Sequence, residues 1–325
     1  MKKKIIAYER LEQPVFEELQ REYDIRLFHG IDPRNNREFL DFLQETEGVI
    51  GIRFPADSDM LDKAPNLKVV SNVSVGYNNL DIEELTKRGI LATNTPGVLD
   101  DTVADMAMGL MLSTARRMPE LDGYVKAGKW TGTLPNEWYG TDVHHKKLGI
   151  IGMGRIGTAI AQRAHFGFNM DILYHSRTPK PDAEERFGAT YLGLDDLLAQ
   201  SDFVCLITPL TEETRGLIGM REFQLMKPSA IFLNVSRGST VVETDLIEAL
   251  KNGEIAAAGL DVYIQEPVDP SNELLQMKNV VTLPHIGSST FETELKMAEL
   301  AAKNLLAGLN GEKPVTLINP EVWKG

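Results

Sequence analysis

Lys147-Leu148-Gly149-Ile150-Ile151-Gly152-Met153-Gly154-Arg155-Ile156-Gly157 is the stretch on which the fold of this 325-residue chain turns. Lys147–Ile151 is mostly apolar, as a strand buried on both faces requires. It runs directly into G-x-G-x-x-G, and Ile156–Phe166 then reads as a helix. That order of strand, glycine turn and helix is the dinucleotide-binding pattern; the glycines alone would say little. Gly152 permits the tight turn, Gly154 lets the backbone approach a pyrophosphate, and Gly157 lets helix and strand pack closely. Free N–H groups and the positive end of the helix dipole then hold the anion.

The next strand, Asp171–Tyr174, runs out into Tyr174-His175-Ser176-Arg177-Thr178. About 20 residues past the glycines, a carboxylate would hold a ribose 2′-hydroxyl. None stands here. Ser176 and Arg177 instead offer donors to a 2′-phosphate, the guanidinium through charge-assisted bonds. NADP is therefore expected over NAD, with NAD still possible.

Strands and amphipathic helices alternate on both sides of this unit. Upstream strands read as Ile5–Tyr8, Ile25–Phe28, Val49–Ile52, Val69–Val73 and Ile90–Thr93, with helices at Pro14–Glu22 and Arg37–Glu45 among them. Downstream strands read as Phe203–Thr208, Ile231–Val235, Ala257–Val262 and Val280–Leu283. A long helix follows Thr95-Pro96-Gly97, with Asp100 and Asp101 at its start and Arg116 and Arg117 at its end to suit the dipole. A loop from Gly128 to Asp142 comes next, and the last helix runs from about Thr290 to Leu309. Such alternation predicts parallel sheets covered by helices.

At roughly 100–200 residues per domain, two domains are expected. Lys and Arg number 34 against 47 Asp and Glu, a formal net charge of −13. An acidic chain gains nothing from counterion release on nucleic acid and is repelled by anionic lipid. No segment approaches the ~18 uninterrupted apolar residues of a membrane span. The apolar run after Met1-Lys2-Lys3-Lys4 is too short for a secretory signal. The single cysteine, Cys205, lies in the middle of a strand, where burial leaves a thiol inert. A cytoplasmic protein, with neither nucleic acid nor membrane as partner, is expected.

Six histidines are present: His29, His144, His145, His165, His175 and His285. Their spacing matches no metal site. His285 ends the apolar run Val280-Val281-Thr282-Leu283-Pro284. Ligands of open αβ sheets bind at the carboxyl ends of strands, although a lone histidine there is more often a capping or structural residue. Two other strand exits give it company. Ile231–Val235 leads into Ser236-Arg237-Gly238, and Ala257–Val262 leads into Tyr263-Ile264-Gln265-Glu266-Pro267. Arg, Glu and His thus leave three separate strands.

At these residues the chain resembles the D-isomer-specific 2-hydroxyacid dehydrogenases, over essentially its whole length. The matching motifs are Ser74-Val75-Gly76-Tyr77, Asn94-Thr95-Pro96-Gly97, Gly152–Gly157, Pro209-Leu210-Thr211 with Glu213-Thr214, Asn234–Gly238, Asp261–Pro267 and Leu283–Ser288. Trp138–His145, with His-Ser-Arg at the cofactor position, is similar to the bacterial glyoxylate/hydroxypyruvate reductase branch, which includes 2-ketogluconate reductases.

The resemblance implies an α/β fold of two doubly wound parallel-sheet domains, a Rossmann cofactor domain at 100–287 inserted into a flavodoxin-like substrate domain at 1–99 and 288–325. It implies NAD(P)H-dependent reduction of a small 2-keto acid by a homodimer. Arg237 would bind the carboxylate and polarise the carbonyl, His285 would be the general acid, and Glu266 would hold the other ring nitrogen and favour imidazolium. The amides of Val75 and Gly76 would also hold the carboxylate. Gly152, Gly154, Arg155, Ile156, Gly157, Ser176, Arg177, Thr208, Pro209, Thr214, Val235, Asp261 and Gly287 would line the cofactor, with Asp261 facing the nicotinamide amide. The cleft between the domains would close to exclude water. Trp138 would reach a partner's active site or serve only the interface, and Arg53 would meet a sugar-acid hydroxyl. Two alternatives stay open: a phosphite or other small-anion dehydrogenase of the same fold, and a non-catalytic dinucleotide-sensing interaction protein.

Overall fold

The computed structural model describes residues 2–323. Two compact units divide the chain, one made of the residues up to Leu99 together with those from Ser289, the other of Asp100–Ser288.

The smaller unit has five strands, β1 (Lys4–Tyr8), β2 (Asp24–Phe28), β3 (Thr46–Gly51), β4 (Val69–Asn72) and β5 (Leu91–Thr93). All pair in parallel, in the order β2-β1-β3-β4-β5. That is the flavodoxin-like order, reversing between β1 and β3. Ile5, Ile6 and Ala7 are fully buried, which explains their unbroken apolar run. The helix Phe291–Leu309, capped by Thr290, packs on this sheet, where Ser71 donates to the Ala301 carbonyl at 2.7 Å. The chain then returns along the sheet edge: Leu317 bridges antiparallel to Thr93, and Ile318 N donates to Ala92 O at 2.8 Å.

The larger unit adds β6 (Lys147–Ile151), β7 (Asp171–His175), β8 (Thr190–Tyr191), β9 (Phe203–Leu206), β10 (Ile231–Asn234), β11 (Ala257–Leu260) and β12 (Val280–Thr282). They form one parallel sheet in the order β12-β11-β10-β9-β6-β7-β8, so the winding reverses between β6 and β9. A reversal of this kind opens a crevice at the strand ends. The helix Asp100–Ala115 buries Ala104, Ala107, Leu110 and Met111 in the main core of this unit, and Arg155–Phe168 contributes Ile160, Ala161 and Ala164 to the same cluster.

Several strands stop earlier than the sequence suggests. Val73, Val235 and Val262 lie just past the last rungs yet are 5%, 6% and 3% exposed. The apolar signal follows burial, and the ladders end where the chain turns out toward the site. The Arg116–Arg117 reading also needs correction. The helix ends at Ala115, and Arg117, at φ 55°, opens the next helix, Met118–Lys126. Among the described residues no helix is long and apolar enough to cross a membrane.

Candidate active site

Three neighbouring strands of the larger unit, β10, β11 and β12, deliver the candidate catalytic groups. At the end of β10, Asn234 uses its side-chain oxygen to accept from Ser236 N and Oγ, and its Nδ2 donates to Arg237 O at 3.1 Å. Thr240 Oγ1 donates to the same carbonyl at 2.6 Å. The backbone under Arg237 is thus fixed from two sides. A Cβ on the next residue, Gly238, would fall 1.9 Å from Tyr263 C, so only glycine lets this exit press against the loop that follows β11. The guanidinium is largely buried and donates from Nη1 to Ser236 O at 2.7 Å. Burial pushes its pKa down, while the charge of Glu266 pulls it up. A desolvated cation with donors to spare calls for an anion.

The Tyr263–Glu266 loop supplies the carboxylate. Glu266 Oε1 accepts from Tyr263 N at 3.1 Å, and Oε2 lies 2.7 Å from His285 Nδ1. The Glu266–Pro267 peptide is cis. His285 itself sits at φ 55°, a left-handed conformation that few non-glycine residues adopt. Its neighbours hold it there. The buried Asp261 accepts from Ile286 N at 2.8 Å and Gly287 N at 3.0 Å, and Tyr263 OH donates to Leu283 O at 3.0 Å. Burial pushes Tyr263 to about 12, so the phenol keeps the proton it donates. Burial likewise raises Asp261, opposed first by the hydrogen bond from Ile286 N and then by the charge of His285. With Nδ1 committed to Glu266, His285 has Nε2 left for substrate.

At the β6/β9 reversal the glycine turn has the form of a phosphate cradle. A Cβ on Gly152, at φ 110°, would fall 2.6 Å from Ile207 O, whereas one on Gly154, the N-cap of Arg155–Phe168, would meet nothing within 4 Å. Backbone is therefore bare where a pyrophosphate would approach. Beside it, Thr208 Oγ1 is buried and, among the described residues, has no hydrogen-bond partner. These features fit a dinucleotide.

The other expected cofactor residues fall around this turn. Arg155 Nε lies 3.2 Å from Asp100 Oδ2, and Ile156 follows it in the first helical turn. Ser176 Oγ donates to Thr178 O at 2.7 Å, and Tyr191 OH donates to Ser176 O at 3.1 Å. The Glu213 carboxyl is held low, first by its hydrogen bond from Thr211 and also by the charge of Arg177. Thr214 Oγ1 donates to Pro209 O at 2.6 Å and accepts from Thr211 N at 2.8 Å, closing the loop after β9. Val235 is buried against that loop's strand, its N–H bonded to Leu206 O.

Arg237, Glu266 and His285 leave three neighbouring strands, with Glu266 bonded to His285, and the sequence reading assigns no role to the residues that fix them. Asn234 and Gly238 stand in a matched motif that by itself assigns them no role, and Thr240 carries no signal of its own. Asp261 was expected at the cofactor, and here both its oxygens anchor the His285 loop. Trp138 packs on Tyr124, ring centroids 4.9 Å apart, with the Arg117 guanidinium 5.2 Å over its face. His144 and His145 bring their Nδ1 atoms within 2.8 Å of each other at the surface, and no group of three or more potential metal ligands occurs among the described residues. Cys205 is fully buried, its thiol pushed up to about 12.

In the smaller unit, Val75 and Gly76 form the loop after β4. Val75 O accepts from Asn94 Nδ2 at 2.8 Å, and Gly76 O accepts from Asn72 Nδ2 at 2.8 Å and Ser74 Oγ at 2.7 Å. Arg53 follows β3 in a left-handed conformation, φ 61°.

Residues 108–287 match the family model of the D-isomer specific 2-hydroxyacid dehydrogenase, NAD binding domain. The chain is 51% identical over 322 residues to a glyoxylate/hydroxypyruvate reductase B of Shigella boydii, and 50% identical to one of Escherichia coli, in each case across 99% of both chains. A crystal structure of the NADPH-dependent glyoxylate/hydroxypyruvate reductase of Sinorhizobium meliloti, in complex with NADP and malonate, superposes with a TM-score of 0.88 at 32% identity, covering 98% of this chain and 97% of that one. The chain belongs to the D-isomer specific 2-hydroxyacid dehydrogenase family. It is an oxidoreductase with a Rossmann-type domain for a nicotinamide dinucleotide.

Proposed function

We propose that this enzyme reduces glyoxylate and hydroxypyruvate to the corresponding 2-hydroxy acids, with NADPH as the preferred donor and 2-ketogluconate as a further substrate. One observation carries the reading: a buried guanidinium leaves β10 and a carboxylate-bound imidazole leaves β12, on either side of β11, whose exit loop supplies the carboxylate. The activities named for the relatives support the choice of substrate.

Arg237 grips the keto-acid carboxylate and draws charge toward the carbonyl oxygen. A bound reduced nicotinamide supplies hydride to the carbonyl carbon. His285 passes the proton on Nε2 to the oxygen as its charge develops, and Glu266, bonded at Nδ1, stabilises the imidazolium beforehand. Asp261 keeps the histidine loop in place throughout. The substrate contacts proposed on the smaller unit, 1–99 with 288–325, are the amides of Val75 and Gly76.

The cofactor is assigned to Gly152, Gly154, Arg155, Ile156, Gly157, Thr208, Pro209, Thr214, Val235, Asp261 and Gly287 of the 100–287 domain, with Ser176 and Arg177 at the 2′-phosphate. A homodimer belongs to the same reading. It is supported by Met118, Val125, Trp130 and Tyr139, which expose 46–65% of their surface along one segment; light scattering should find particles of two chains.

A panel of keto acids assayed separately with NADPH and NADH tests the proposal. Rapid NADPH oxidation with glyoxylate and hydroxypyruvate is expected, and none with either would refute it. Arg177→Asp should raise KM for NADPH about tenfold or more, as loss of a charge-assisted contact implies, and leave that for NADH nearly unchanged. Equal changes would remove the 2′-phosphate assignment.

A further inference from the structure

The two amides assigned to the substrate carboxylate are aimed by residues distant in sequence. A trans peptide is planar, with its C=O and N–H pointing opposite ways, so fixing one carbonyl fixes the following amide. Val75 O accepts from Asn94 Nδ2 at 2.8 Å, which sets the N–H of Gly76. Ser74 O accepts from Thr95 N at 3.0 Å, which sets the N–H of Val75. Asn94 and Thr95 therefore control both directions at once.

Asn94 is in turn held by the end of the chain. Its carbonyl accepts from Thr316 Oγ1 at 2.6 Å and from Asn304 Nδ2 at 3.4 Å, and its N–H donates to Thr316 O at 3.4 Å. Asn304, on the helix Phe291–Leu309, is 0% exposed. Its Oδ1 accepts from Val315 N at 2.9 Å and Thr316 N at 3.2 Å, and its Nδ2 also reaches Thr316 Oγ1 at 2.6 Å. A fully satisfied buried amide specifies one arrangement, where an apolar residue would specify only packing.

We propose that Asn94, Asn304 and Thr316 are positioning residues for keto-acid binding. The segment 315–318 sets, through Asn94, the direction in which the amides of Val75 and Gly76 point. This rests on the reading in which those amides hold the substrate carboxylate.

Steady-state kinetics with NADPH test it, using glyoxylate beside glyoxal, which lacks the carboxylate. Asn94→Ala should raise KM for glyoxylate about tenfold, the value of one hydrogen bond's alignment, with kcat and NADPH affinity within about twofold. Thr316→Val should raise it about threefold on the same scale, and Thr316→Ser, which keeps the hydroxyl, should restore it. The rise should be confined to glyoxylate. Variants that bind NADPH normally yet keep the original KM would overturn the proposal, as would an equal rise for glyoxal. If Asn94→Ala does not fold, the Thr316 pair decides alone. An unmodified enzyme with equal KM for glyoxylate and glyoxal would instead overturn carboxylate binding itself.

Discussion

The two sheets present their carboxyl ends in different chemical currencies. In the larger unit, the strand exits carry charged or titratable side chains: Arg237 after β10, Asp261 after β11, His285 after β12. In the smaller unit, the loop after β4 carries the peptide N–H groups of Val75 and Gly76, whose directions are set by Thr95 and Asn94. Side chains can be exchanged for other chemistry by single substitutions, whereas a peptide group exists at every residue and only its direction is specific. The larger unit therefore resembles a set of tools, and the smaller a mould.

That contrast predicts where substitutions hurt most. His285→Ala should lower kcat by roughly 10²–10⁴, the usual worth of a positioned general acid. A loss below tenfold in folded protein would mean that proton delivery lies elsewhere. Arg237→Lys should cost about 10² in kcat/KM, because an ammonium cannot replace two charge-assisted contacts of a planar fork; near-normal kinetics would show that charge alone suffices. Gly238→Ala should destabilise the larger unit by roughly 1–3 kcal/mol through overpacking against Tyr263, and lower activity with it, readable as an earlier thermal transition. An unaltered transition would show that this close approach is soft. Glu266→Gln has the subtlest expected effect. Its amide can still hold Nδ1, but through a neutral hydrogen bond weaker than the charge-assisted one, so kcat should fall only a few-fold, to about tenfold at most. An unchanged kcat would uncouple the pair.

The same contrast explains what could be read in advance. Lys147–Gly157 announces its strand and turn because periodicity and glycine spacing are local properties. Arg237, Glu266 and His285 were visible because each follows an apolar run. The helices Ser58–Asp62 and Ile82–Lys87 are too short for an amphipathic period to register. Asn304 looks like any polar residue of an amphipathic helix until the chain end folds back onto it. The left-handed φ of His285 is likewise imposed by Asp261 and Tyr263, from other parts of the chain, so no local pattern encodes it.

The helix Phe291–Leu309 covers the sheet of the unit that begins the chain. During synthesis, then, the first five strands must wait for nearly the whole polypeptide to leave the ribosome. The unit spanning Asp100–Ser288 has all its parts much sooner. Ribosome-bound chains arrested once residue 288 has emerged should already protect that unit from protease while the preceding strands are still cleaved, and equal protection of both would contradict this order of assembly.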